Sequence, residues 1–85
     1  MVNQNCFTMP QFLDSHQFAG TEKRLKEVQA SPPDEFGVAH INILYNQKAN
    51  KLFCHLNAPD EEAVRKHHEK LGIKLDWVTE VKTTA

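Results

Sequence analysis

The chain has 85 residues, 40% hydrophobic and 25% charged, with a formal net charge of -1 at neutral pH. That length holds one small core, and mixed, nearly balanced charge excludes both a disordered polyelectrolyte and a nucleic-acid binder that works through a basic patch. No stretch is apolar for long enough to span a bilayer, and Met1 to Cys6 lacks the basic-then-apolar order of a signal peptide, so the expected compartment is the cytoplasm.

Residues 1–7 read as a flexible amino-terminal extension, 8–82 as a single domain and 83–85 as a tail. The run from Thr8 to His16 has weak strand character, with Pro10 near its start. Phe18, Ala19 and Gly20 form a connector, after which Thr21 can cap a helix running to about Ala30 with Leu25 and Val28 on its buried side. Ser31, Pro32, Pro33 and Asp34 end that helix.

Gly37 to Tyr45 is the clearest strand, with Ala39, Ile41, Ile43 and Tyr45 alternating against Val38, His40, Asn42 and Leu44. Asn46 to Asn50 reads as a hairpin loop into the short apolar run Leu52, Phe53, Cys54, His55 and Leu56. A second helix follows at once: Pro59 suits its first position, Asp60, Glu61 and Glu62 favour its amino end, and Gly72 stops it. Ala63, Val64, His67, His68 and Leu71 recur at helical spacing and form its packing face. Leu75 to Val81 reads as the last strand.

The order strand, helix, strand, strand, helix, strand predicts an α+β ferredoxin-like sandwich, a four-stranded antiparallel sheet with both helices on one face. If Ile41 and Ile43 face the helices with Leu52, Cys54 and Leu56, then His40 and His55 share the open face; a slip of one residue would bring His40 to the side of Cys54. The apolar pattern favours the first register. It leaves Val38, Leu44 and Phe53 on the open face among His40, Asn42 and His55, too apolar for a bare surface, which suggests a homodimer through that face or a ligand groove.

Two cysteines, Cys6 and Cys54, make no disulfide framework and read as thiols in a reducing compartment. Cys54 on its strand, facing His67 and His68 on the second helix, is the chief chemical lead. Neutral imidazole and thiolate favour nickel, zinc or copper over magnesium or calcium, although no close Cys-x-x-Cys or His-Glu-x-x-His spacing is present. The blander reading makes Cys54 a buried hydrophobe, His68 a satisfied core imidazole and His67 a solvated cation near the helix end.

The segments Leu52 to Cys54, Ala58 to Val64, His68 to Glu69 and Gly72, together with Met9 to His16 and Gly37 to Val38, resemble a family of small bacterial domains, largely uncharacterised, that includes a nickel-binding protein. The resemblance spans roughly residues 8 to 82 and implies a ferredoxin-like fold, a homodimer and divalent-metal binding. Carried over by position it implies His16, Cys54 and His68 as metal ligands. His40 and His55 depart from its pattern and stand as local alternatives, and Leu44 stands where many members have tryptophan. The functional expectation is a small soluble dimer that sequesters or senses nickel or another divalent transition metal. The alternatives are a small dimeric enzyme of isomerase or monooxygenase type, with His68 and Asp14 as base and orienting carboxylate, and a non-catalytic interaction module. For the module, Val38, Leu44, Phe53 and His55 would form the contact set.

Overall fold

A computed structural model describes residues 9–18 and 20–84. Its elements are β1 (Gln11–His16), α1 (Glu22–Ala30), β2 (Ala39–Asn46), β3 (Lys51–Asn57), α2 (Glu61–Lys70) and β4 (Leu75–Val81). The sheet is antiparallel in the order β2-β3-β1-β4, the ferredoxin-like arrangement that the element order predicts. The expected amino-terminal extension, including Cys6, lies outside the described residues. None of the described helices is long and apolar enough to cross a membrane.

Local chemistry sets the ends of the elements. Pro10 ends just before β1, and its carbonyl accepts the Ala58 N–H at 3.1 Å, tying the strand start to the β3–α2 connection. Thr21 Oγ1 accepts the Arg24 N–H at 3.2 Å as the cap of α1. The cap of α2 is Asp60, whose Oδ1 takes the Ala63 N–H at 2.8 Å; Pro59 therefore stands before the cap, not inside the first turn. At the other end Gly72 has φ +71°, and the N–H groups of Gly72 and Ile73 return to the carbonyls of Glu69 and His68 at 3.0 and 2.9 Å. That pair of bonds is a Schellman closure, and it pins the His68 backbone.

The core lies between sheet and helices: Phe12, Leu52, Leu56, Ala58 and Val64 are buried, with Leu25, Phe36, Ile43 and Val78 packed against them. Two expectations about the open face fail here. Val38 is 2% exposed and belongs to the core. Asp34 explains this: its Oδ1 accepts the N–H groups of Phe36 and Val38 at 2.9 and 3.0 Å, and its own N–H reaches the Val38 carbonyl at 3.1 Å. The loop so closed turns Val38 inward before β2 begins.

The second correction concerns register. His40 stands opposite Leu56 and Ile43 opposite Cys54, so both face the helices, whereas Asn42 opposite His55 and Leu44 opposite Phe53 take the open side. A β-bulge between His40 and Asn42 makes this compatible, because the extra residue, Ile41, breaks strict alternation and is itself 38% exposed. Neither of the two uniform registers is realised. His55 does lie on the open face, where its Nε2 meets Gln11 Oε1 at 2.7 Å.

Candidate metal centre

β1 is a central strand, yet it places Asp14, Ser15 and His16 at 0%, 2% and 4% exposure. Alternation puts Asp14 and His16 on the helix side, and Asp14 pairs directly with Cys54 on β3. From α2, His68 descends onto the same spot at 2% exposure. The ligand atoms of Asp14, His16, Cys54 and His68 all lie within 4.8 Å of one another. His16 Nε2 is 3.7 Å from Cys54 Sγ and 3.9 Å from Asp14 Oδ1, and His68 Nε2 is 3.4 Å from Asp14 Oδ2.

Backbone acceptors decide the tautomers. The Nδ1 of His16 lies 2.8 Å from the Gln17 carbonyl and that of His68 2.8 Å from the Val64 carbonyl; since a carbonyl only accepts, each Nδ1 carries the proton. Each Nε2 therefore carries the lone pair: that of His16 can accept from the Cys54 thiol at 3.7 Å, and that of His68 faces Asp14 Oδ2. Both Asp14 oxygens are buried, and neither has a partner in good hydrogen-bond geometry, the Cys54 thiol and amide being near but poorly placed. Two carboxylate oxygens, two imidazole lone pairs and a sulfur thus converge with nothing positive among the described residues to hold them together, an arrangement that a proton on Asp14 or a cation resolves.

Proton affinities follow from this crowding. Burial pushes the Asp14 carboxyl up to about 7, against weaker opposing interactions with the Cys54 thiol and amide. Burial also pushes the Cys54 thiol far up, with the Asp14 charge adding to it. His68 is held at about 4 by burial and then by its imidazole neighbours, and His16 is lowered by burial as well. At neutral pH both imidazoles are accordingly neutral and ready to donate, the state a metal requires.

Around this group runs a cavity of about 280 Å³, bounded by α1, α2 and the sheet and lined by Leu25, Val28, Ile43 and Ile73 besides the polar residues. His40 and His67 also line it. The His67 Nδ1 pairs with Asp34 Oδ2 at 2.5 Å, so its side chain is held at 12% exposure, out of bulk solvent.

A family model described as "Nickel responsive protein SCO4226-like" matches residues 7–81. The chain belongs to that family. No curated protein and no solved structure matches the chain. The SCO4226-like family name and the buried donor group both fit metal binding. The donor set fits a borderline divalent ion on its own chemistry, since imidazole and thiolate dominate and a single carboxylate supplies charge. Of the expected ligands, His16, Cys54 and His68 are brought together, while His55 is on the far side of the sheet. Asp14 is the member that sequence reasoning treated only as an orienting partner for His68; the available signal was the Asp-x-His spacing in β1, which places both on one face of a strand.

Proposed function

We propose that this member of the SCO4226-like family binds a divalent transition metal, nickel first among them, through His16, Cys54, His68 and Asp14, and serves in sequestration or sensing. The observation that carries this reading is the Asp14 carboxyl, buried with both oxygens unbonded while two Nε2 lone pairs and a sulfur face it. Two neutral imidazoles with an ionised carboxylate and thiolate supply a charge that a divalent cation balances, and their second-shell bonds to the carbonyls of Gln17 and Val64 fix the rings in the required orientation. Deeply buried ligands suit retention of an ion more than turnover, and the strongly raised Cys54 thiol is a poor nucleophile without a metal. We place the protein in the cytoplasm, where a buried thiol stays reduced.

Dimerisation through the open sheet face belongs to the same reading. Leu44 is 51% and Trp77 44% exposed there, and the Phe53 and Trp77 rings lie 6.3 Å apart across the central strand. An apolar patch of this kind on a small domain favours a second copy.

Calorimetric titration of the purified chain with nickel and with zinc tests the site. Stoichiometric binding that His16→Ala and His68→Ala each weaken by at least about tenfold is the expected result. Undiminished binding in both variants would overturn the assignment.

A further inference from the structure

The four ligands are no more than 4% exposed, and His16, Cys54 and His68 meet the outside only through the cavity they line, so an ion reaches them along it. Two imidazoles stand in the lining of the same cavity but outside that group: His40 from β2 and His67 from α2, both less deeply buried. We infer that His40 and His67 form a second, outer position for a divalent transition ion, from which the ion passes to the buried group. This inference rests on the metal reading of that group.

His67 has the arrangement that metal-ligating histidines use. Its Nδ1 is paired with the Asp34 carboxylate, which leaves Nε2 as the ring's remaining ligand atom, and Asp34 is itself fixed by the amides of Phe36 and Val38. Hydrogen bonds from His67 and those two amides outweigh burial and hold Asp34 below the usual carboxylate range, so it is charged and backs the ring electrostatically. His40 is brought to the cavity by the bulge at Ile41, and among the described residues no hydrogen bond holds its ring. A half-buried imidazole without a hydrogen bond thus faces the cavity with its ring nitrogens uncommitted to protein partners.

Spacing carries the rest. With a metal–nitrogen distance near 2 Å, two imidazoles sharing one ion at a tetrahedral angle have ring centroids about 5 Å apart. The His40–His67 centroids are 5.5 Å apart, His67–His68 5.1 Å and His68–His16 5.2 Å. The four rings thus form a continuous series of neighbouring imidazoles from the outer pair to the buried group, the path along which the inferred transfer runs.

Cobalt(II) is the probe, because a thiolate-to-cobalt charge-transfer band reports arrival at Cys54 specifically when the measurement is made in a Cys6→Ser background. Equilibrium dialysis with metal analysis gives the stoichiometry, and stopped-flow absorbance gives the rate at which the band appears. Wild type should hold two ions per chain. His40→Phe, which keeps a ring of similar volume, and His67→Gln should hold one, reach the same final band intensity, and load at least about tenfold more slowly. Wild-type loading rates, or two ions retained, in the His40→Phe variant would overturn the inference; so would a wild type that shows the band with a single ion. A wild type with no thiolate band at all would instead contradict the buried site itself. Far-UV circular dichroism checks folding, and if His67→Gln does not fold, His40→Phe decides alone.

Discussion

Asp14 shows how one residue can be costly to the empty fold and necessary to the loaded one. A buried carboxyl without well-formed hydrogen bonds is costly when ionised, so at pH 7.5 Asp14→Asn should leave the metal-free chain as stable as wild type to within about 1 kcal/mol, or more stable, by urea denaturation. The same substitution should weaken nickel binding by one order of magnitude or more. A metal-free variant destabilised by several kcal/mol would make Asp14 a structural residue instead. The imidazoles set the pH response. His40 and His68 sit at about 4 against an ordinary 6.5, so the unfolded chain binds their protons more tightly, and the stability they contribute above pH 6.5 is lost as pH falls toward 4. Asp14, raised from 3.8 to about 7, acts in the opposite sense, its contribution being lost as pH rises toward 7. Below pH 6.5 the two imidazoles outweigh the one carboxyl, at about 1.4 kcal/mol per pKa unit for each group. Urea midpoints of the metal-free protein should therefore peak near pH 6.5 and fall on acidification; a midpoint that rises steadily to pH 4.5 would contradict the burial of these rings.

At the scale of elements, the caps of α2 and the bulge of β2 position the site. Asp60→Ala removes the bond to the Ala63 N–H and should cost about 1 kcal/mol. The bulge allows a sharper test, because deletion of Ile41 makes the ladder from Leu56–His40 to His55–Asn42 continuous and leaves His40 and Ile43 on the helix side. The shortened chain should fold with stability within about 1 kcal/mol of wild type. Were β2 a regular strand, the same deletion would turn one half of it inside out and unfold the domain. These elements also show what sequence makes legible. The order and ends of the elements were readable because Thr21, Asp60 and Gly72 carry their meaning locally and β3 alternates cleanly between Leu52, Cys54 and Leu56 inside and Phe53 and His55 outside. The bulge is not readable, since an extra residue in β2 leaves no mark until its partner strand is known, and strict alternation therefore sends His40 to the opposite face. Val38 was misplaced for a related reason: its direction is set by Asp34, four residues away in a loop. His67 is on the packing face that helical spacing predicts, but its partner, that same loop aspartate 33 positions back, leaves no mark in the sequence.

For the whole molecule, the fold sets one face of the sheet against two helices and a polar centre, and leaves the other face apolar and uncovered. Because Val38 is in the core, a charge there would unfold the chain and say nothing about assembly. Trp77→Lys or Leu44→Glu addresses the open face instead: each should convert the dimer to a monomer in size-exclusion with light scattering while leaving circular dichroism unchanged. A wild type that is monomeric at high concentration, or variants that stay dimeric, would remove that face as the interface. The centre itself was half legible, since His16, Cys54 and His68 follow from the resemblance, while Asp14 is a carboxylate in a place where burial statistics argue against one. X-ray absorption at the nickel edge tests the central claim most directly. Nickel-loaded Cys6→Ser protein should show one sulfur at about 2.3 Å with imidazole nitrogen scattering, and Cys54→Ser in the same background should lose the sulfur shell while keeping the nitrogens. A spectrum without sulfur, or one that the Cys54 substitution leaves unchanged, would contradict a metal held between the central strands and α2.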